Sequence, residues 1–530
     1  MLMASLILVP IVIGVISYLV PLKVGKGLFL LVQAFLAIAT GSLFLESTVE
    51  GTMFSVLGGD NPILYVALRA DRVSLVFVGV SLLLFTLAFL YASKDKGFYF
   101  GQKFAMLFLV LQGTMHGVFL TDDIFNLFVL LEVSTVLATV FFLFKREGRN
   151  AYDGLFYLVM QIVSMMFFLY GIAYLYRSFG VLNLTEIHRL MSYDVPREAL
   201  ILPFSLLITG IALKIGFFPV FSWVSHAYGN PSTPFPVLAI LSGLFVKSSL
   251  FFVMRIHNIF YPVLDYSQFF IALGIITAII GAVKALAQKD IRLMLAFSTI
   301  SQIGLITTGY FLSGSLSSYG SVLHMFNHAI FKSLLFLTAG MVAKEYQTTH
   351  IDEIRGLFKR MPLVSIAMGI GVLGIMGFPF INGSISKYWI MADARPMMEA
   401  VFWVMNTGTI LVFIKYSTMF FGNAAKAGPT DKLRTATVLI LALLCVAAGI
   451  FGVPLANFIF GTELSITMMD FLIKGLVFFV IAGLAAVFYH YALSKTNALY
   501  KIAKSPSTIQ GSSVVLVLFF ATLLFFGMLS

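Results

Sequence analysis

The chain has a single cysteine among 530 residues, Cys445, and it lies in an apolar run. One thiol cannot build an iron–sulfur cluster, a cysteine-rich zinc site or an internal disulfide. Charge is scarce as well. Asp, Glu, Lys and Arg make up 11% of the residues, where a soluble domain carries about 25%. No polar stretch is long enough for a separate soluble domain. No G-x-G-x-x-G or Walker A pattern sits on a strand-to-helix turn. The chain is therefore expected to hold no redox cofactor, nucleotide or metal of its own. The opening run from Met1 has neither a basic leader nor an A-x-A cleavage signal, and reads as a retained helix.

What is present is apolar. Hydrophobic residues make up 60% of the chain and mean hydropathy is +1.00. Runs of about 20 apolar residues, enough to span a bilayer, recur from end to end. They predict an all-α polytopic membrane protein with about sixteen spans, near 2–20, 27–45, 71–92, 103–121, 123–144, 151–176, 199–227, 235–254, 266–287, 290–311, 318–342, 362–392, 400–421, 434–454, 466–492 and 513–529. Two of them, 199–227 and 362–392, are too long for one plain span. Each contains a breaker: Gly216-Phe217-Phe218-Pro219 in the first, Gly377-Phe378-Pro379 and then Asn382-Gly383 in the second. Unwound backbone within a membrane is tolerated where protein or water surrounds it, and such breaks mark ion sites in transporters.

The net charge of +11 is a matter of topology. Loops after odd-numbered helices hold twenty Lys and Arg; loops after even-numbered helices hold seven. Basic residues favour the cytoplasmic side, so the odd loops are expected inside and both termini outside. This distribution leaves nothing for nucleic acid to bind. The outer loop 46–70 reads as a β-hairpin, with strand-like runs 52–57 and 63–68 around Gly58-Gly59-Asp60-Asn61-Pro62.

Seven lysines fall inside the spans: Lys214, Lys247, Lys284, Lys332, Lys387, Lys415 and Lys474. An ionisable group at the bilayer centre costs roughly 2.5–3.5 kcal/mol on insertion scales, so this set demands a use. All seven are lysine, which can give up its proton when desolvated, whereas arginine stays charged. Lys284 and Lys415 sit near cytoplasmic helix ends, where long side chains snorkel. Lys474 lies one turn after Asp470, a local pair. The other four are not so easily placed. Glu132 is the acid well inside a span, and a pairing with Lys214 in one state of a cycle would keep it charged. His324, His328 and Lys332 are spaced four apart, on one helix face at rises of about 6 Å. A His pair at that spacing also suits a metal, but no acidic third ligand lies nearby in the sequence. A haem b reading would use histidines on separate helices, with His116 as a partner.

Taken together these residues resemble the antiporter-like subunits shared by respiratory complex I, Mrp-type Na⁺/H⁺ antiporters and archaeal membrane-bound hydrogenases. The resemblance runs over about residues 50–430. It is carried by Asp123–Glu132 leading to Lys145, by Lys214–Pro219 with Trp223 and His226-Ala227, and by Pro231–Pro234. It continues through Ser242–Lys247, Gln288–Arg292 with Ser298–Gly304, His324–Lys332, and Gly377–Pro379 with Gly383 and Ser386-Lys387. The chain departs from the pattern at Val224-Ser225-His226-Ala227, where the family often has an acid before Ala-His. It departs again at Gly377–Ser384, where two prolines are common.

The resemblance implies N-terminal helices over 1–102, inverted five-helix repeats over 103–254 and 266–421 forming two half-channels, and further C-terminal helices over 434–530. About fourteen helices form the core and about two are additions. The resemblance also implies a proton relay: Glu132 with Lys214, then Lys247, the His324/His328/Lys332 face, and Lys387 as terminal site. Other integral membrane subunits, further antiporter-like ones among them, are implied as partners, with lipid around them. The transported ion is H⁺, with Na⁺ as a second candidate. Redox chemistry is implied to lie in other subunits, so no catalysis is expected of this chain. A non-redox Na⁺/H⁺ antiporter shares all these features.

Overall fold

The computed structural model describes residues 1–58, 66–94, 101–144, 148–191, 193, 195–312, 314–423, 430–494 and 508–529. It is an all-α polytopic membrane protein. Among the described residues, fifteen helices are long and apolar enough to cross a bilayer. The remaining expected span, 362–392, is split into Pro362–Met376 and Asn382–Ile390.

The chain divides into two compact units. The first comprises Met1–Pro234, Leu244–Tyr266 and Ser507–Ser530; the second comprises Phe235–Gly243 and Ser267–Pro506. The first unit holds α1 (Leu2–Leu19), α2 (Leu22–Glu50), β1 (Met53–Leu57), β2 (Val66–Ala70), α3 (Arg72–Ala92), α4 (Gln102–Leu120) and α5 (Ile124–Phe142). It also holds α6 (Gly148–Phe179), the short α7 (Leu184–Met191), α8 (Arg197–Ile215) and α9 (Trp223–Gly229). A helix over Phe235–Phe260 follows. A π-helical turn at Leu241–Phe245 divides it into α10 (Phe235–Ile240), which belongs to the second unit, and α11 (Val246–Phe260), which belongs to the first.

The second unit holds α12 (Ser267–Ala287), α13 (Ile291–Phe311), α14 (Ser315–Tyr346), the one-turn α15 (Leu357–Arg360), α16 (Pro362–Met376), α17 (Asn382–Ile390) and α18 (Pro396–Ser417). It continues with α19 (Lys432–Ile450), α20 (Gly452–Phe460) and α21 (Met468–Phe488). The last helix, α22 (Ile509–Leu529), belongs to the first unit and packs on α8 and α6.

Several spans start where sequence chemistry dictates. Asp71 caps α3 through a reciprocal capping box with Ser74. Asp123, Asp290 and Asp431 accept the first free N–H groups of α5, α13 and α19, which would otherwise be unsatisfied. Packing is closest where glycine removes a side chain. A Cβ at Gly113 on α4 would stand 2.6 Å from the Ile7 carbonyl of α1, and one at Gly281 on α12 would stand 2.5 Å from the Ser301 amide of α13.

Several boundaries differ from the sequence reading, those of α2 and the hairpin among them. α2 extends to Leu22 and Glu50, because a helix once started carries on through the polar turns flanking its apolar run. The hairpin forms, but its second strand is Val66–Ala70, in register Met53↔Ala70 and Leu57↔Val66. The strand runs directly into the Asp71 cap, which sets its end two residues later than the predicted 68. The predicted turn at Gly59–Pro62 lies outside the described residues, as do Lys145 and several basic residues of the odd-numbered loops.

Candidate ion-translocation site

The first unit builds its site around the break between α8 and α9. α8 ends at Gly216, which adopts φ 85° and ψ 38°, a left-handed conformation that glycine takes without steric cost. Its N–H bonds back to Ala212 and Leu213, and Phe217 N–H also reaches Ala212. Pro219 follows in the unwound stretch, preceded by a cis peptide bond. The Trp223 indole donates to the Leu213 carbonyl at 2.6 Å, closing a carbonyl that the break leaves short of helical partners.

Lys214, two residues before Gly216 in the last turn of α8, is fully buried. Its ammonium donates to the Leu131 carbonyl of α5 at 3.3 Å and to the Thr135 hydroxyl. The Phe245 ring lies 5.5 Å away. Leu131 and Thr135 bracket Glu132 on the same helix. The structure therefore brings Lys214 to the turn that carries Glu132 without an ion pair between them. The Glu132 Oε1 atom is buried and accepts no hydrogen bond among the described residues. Lys247 is also fully buried. It occupies the first turn after the π-helical stretch Leu241–Phe245, a local widening frequent at functional sites.

The acid beside His226, Asp153, was not singled out by sequence. His226 Nδ1 lies 2.6 Å from Asp153 Oδ1, and its ring stacks on Phe156 at 3.9 Å. Where the family pattern puts an acid beside this histidine in sequence, here α6 supplies one.

The second unit is organised on α14. His324, His328 and Lys332 are all fully buried. Both nitrogens of His324 are engaged. Nε2 meets Gln302 Oε1 at 3.0 Å and Nδ1 meets the Ser386 hydroxyl at 2.8 Å. A carbonyl oxygen only accepts, so Nε2 carries a proton. Gln302 in turn donates to Thr409 at 2.9 Å, and Asn327 donates to Ser386 at 3.2 Å. The chain of bonds thus runs across α17, α14, α13 and α18. The His328 ring stands edge-on to His324, centroids 6.3 Å apart, and to Phe331 at 5.1 Å. Lys332 donates to the Leu295 carbonyl at 2.8 Å and the Ser298 hydroxyl at 2.5 Å, with the Phe413 ring 5.6 Å away.

The second break, between α16 and α17, repeats the first. Gly377 takes φ 87° and ψ 33° and bonds to Leu373 and Gly374, while Phe378 N–H reaches Leu373. Lys387 then folds back across the break. Its ammonium donates to the Ile375 carbonyl at 2.7 Å and to Asn406 Oδ1 of α18 at 2.6 Å. A Cβ at Gly377 would press on the Lys387 side chain at 2.9 Å, and one at Gly383 would collide with the Gly374 carbonyl. Pro379 lines the cavity beside Lys387.

The remaining lysines are Lys415, Lys284 and Lys474. Lys415 is buried and donates to the Leu286 and Gln288 carbonyls at 2.8 and 2.6 Å, capping the end of α12. The expectation that it snorkels is corrected: unsatisfied carbonyls at a helix end are nearer partners than water. Lys284 is half-buried. Lys474 faces Asp470 at 3.6 Å, and also Glu399 of α18 at 3.7 Å. His116 of the first unit has its Nδ1 committed to the Leu6 carbonyl at 3.0 Å. Among the described residues no group of three or more His, Cys, Asp or Glu is arranged to hold a metal.

The chain belongs to the NADH:quinone oxidoreductase/Mrp antiporter transmembrane family, whose model matches residues 121–414, more than half of its length. It is an antiporter-like membrane subunit of the type shared by complex I-related, Mrp and hydrogenase-related complexes. The chain is 29% identical to NADH-quinone oxidoreductase subunit N of Desulforudis audaxviator over 410 residues, 74% of this chain and 79% of that one. It is 27% identical to the D-type subunit of a Na⁺/H⁺ antiporter of Alkalihalophilus pseudofirmus over 320 residues, 60% of this chain and 63% of that one. A chain of the membrane-bound sulfane sulfur reductase, an archaeal respiratory membrane complex, superposes with a TM-score of 0.80 at 27% identity. That match covers 86% of this chain and 96% of the other.

Proposed function

We propose that this chain is the proton-translocating subunit of a redox-driven membrane complex related to complex I. The observation that carries the reading is the set of buried lysines held by neutral groups. Lys214 and Lys332 each rest on a backbone carbonyl and a hydroxyl, and Lys387 rests on a carbonyl and an amide oxygen. Such partners hold an ammonium without neutralising it. A fixed carboxylate would lock the charge in place, since separating a buried ion pair costs several kcal/mol. Carbonyl and hydroxyl seats let a lysine be charged in one state and neutral in the next. Glu132, on the α5 turn that seats Lys214 and not ion-paired with it, is the movable counter-charge.

The mechanism follows from electrostatics. A charge change in a neighbouring subunit pulls Lys214 towards Glu132 or releases it. Lys247, Lys332 and Lys387 then pass a proton in turn, each favoured to ionise when its neighbour is neutral. The His324 and His328 face extends the path. Two features support the inverted repeat that this scheme needs. The breaks at Gly216 and Gly377 share their backbone angles and hydrogen bonds. The starts of α5 and α13 share theirs too: Asp123 bridges Asn183, and Asp290 bridges His350. The polarity of the basic loops favours both termini on the outer side of a cell membrane. Other integral membrane subunits are the partners, and the redox reaction belongs to them.

A second reading, a subunit of an Mrp-type Na⁺/H⁺ antiporter, is favoured by the 27% identity to the D-type antiporter polypeptide. Purifying the native complex through a tag on this chain separates the two. Iron–sulfur or hydrogenase-like subunits, with proton pumping driven by an electron donor, are expected. An assembly of antiporter subunits without redox centres, exchanging Na⁺ for H⁺, would replace the first reading by the second.

A further inference from the structure

Lys474 does more than pair with its neighbour on α21. Its ammonium lies between Asp470 on its own helix and Glu399 on α18, at 3.6 and 3.7 Å. It also sits 4.9 Å over the Tyr388 ring, and Tyr388 is adjacent in sequence to Lys387. One cavity of the second unit is lined by both Lys387 and Lys474, together with Ser384, Asn406 and Trp403. Exposure rises along this line. Lys387 is 6% exposed, and the side chains of Lys474, Glu399 and Asp470 are 15%, 33% and 48% exposed.

We propose that Glu399, Asp470 and Lys474 form the mouth through which the proton held at Lys387 leaves the second unit, so that α21 is part of the conducting machinery. This rests on the relay reading above, in which Lys387 is the terminal site. The step is a proton transfer. The Lys387 ammonium gives one proton to water in the cavity, and that proton passes to the Glu399 or Asp470 carboxylate and then to bulk water. Lys387 is left neutral, and the mouth returns to its ionised state. Lys474 has two effects. It positions the two carboxylates at the mouth through its ion pairs with both, and its positive charge opposes a proton returning towards Lys387. An ion pair serving only to tie α21 to α18 would have no reason to share a cavity with a buried lysine.

The test uses the native complex purified through a tag on this chain and reconstituted in vesicles. A K⁺/valinomycin potential drives protons, followed by a lumenal pH dye, in both polarities. Lys387→Ala is the control for the relay. Glu399→Gln with Asp470→Asn is expected to lower outward flux at least about ten-fold, the scale of a lost positioned proton acceptor. Glu399→Gln alone leaves Lys474 paired with Asp470 and is expected to give an intermediate loss if the double variant fails to assemble. Lys474→Met is expected to raise flux in the reverse polarity, and Lys474→Arg to restore the wild-type asymmetry. If Lys387→Ala blocks transport but the carboxylate variants conduct like wild type in an intact complex, the mouth is refuted and the relay stands. If Lys387→Ala conducts normally, the relay falls and the mouth with it.

Discussion

Lys214 and Lys332 rest on the same kind of seat. Each ammonium donates to a leucine carbonyl, Leu131 or Leu295, and to a hydroxyl within the next turn of that helix, Thr135 or Ser298. Each has a phenylalanine ring at 5.5–5.6 Å. The seats are on α5 and α13, the two helices that begin with an aspartate cap and a matching bridge. Yet the first lysine comes from the broken helix α8 and the second from the unbroken α14. The binding geometry is repeated while the lysine's origin is not.

Removing a hydroxyl from a seat should cost the charged state one charge-assisted hydrogen bond, about 1.5–3 kcal/mol. Thr135→Val and Ser298→Ala are expected to slow proton transport about ten-fold or more on that scale, with the complex still assembled. Transport by reconstituted vesicles checks this, with Thr139→Val, further along α5, as the neutral control.

Replacing Lys214 by arginine tests whether charge alone suffices. Arginine stays protonated, so Lys214→Arg is expected to abolish transport as fully as Lys214→Met. Normal pumping by the arginine variant would show that Lys214 is a fixed charge.

The two glycine breaks should respond unequally. Gly216→Ala meets the left-handed backbone penalty, roughly 1–2 kcal/mol. Gly377→Ala meets the same penalty and also pushes on the Lys387 side chain at 2.9 Å. A lower melting temperature is expected for both in detergent, with transport suffering more at Gly377.

Topology can be read by labelling, because the single Cys445 is buried. Cysteines placed at the exposed Glu50 and Lys23 are expected to react with an impermeant maleimide from opposite sides, Glu50→Cys from outside. The reverse result inverts the proposed orientation and the direction assigned to the mouth at Lys474.

Much of the fold was legible because membrane spans announce themselves by length and composition. The breaks were legible too, since Gly-Phe-Phe-Pro and Gly-Phe-Pro cannot continue a helix. The buried lysines stood out because their cost in a bilayer is high. Their partners did not. Leu131 and Thr135 are unremarkable residues of an apolar helix, and only packing makes their carbonyl and hydroxyl a seat. Asp153 reaches His226 across 73 residues, beyond any local pattern. Glu399 joins Lys474 from another helix. The π-helical turn before Lys247 depends on how its neighbours pack, and Gly243 alone does not signal it. Lys415 sits near a helix end, where a long side chain can reach water, yet two carbonyls at the end of α12 take its ammonium.

The relay itself is tested most directly at Lys247, buried in the first turn after the π-helical stretch Leu241–Phe245. The measurement is proton transport by the reconstituted native complex carrying Lys247→Ala, against wild type, with assembly verified. A loss of at least about ten-fold is expected if the lysine carries the proton between the half-channels. Unchanged transport would contradict the relay.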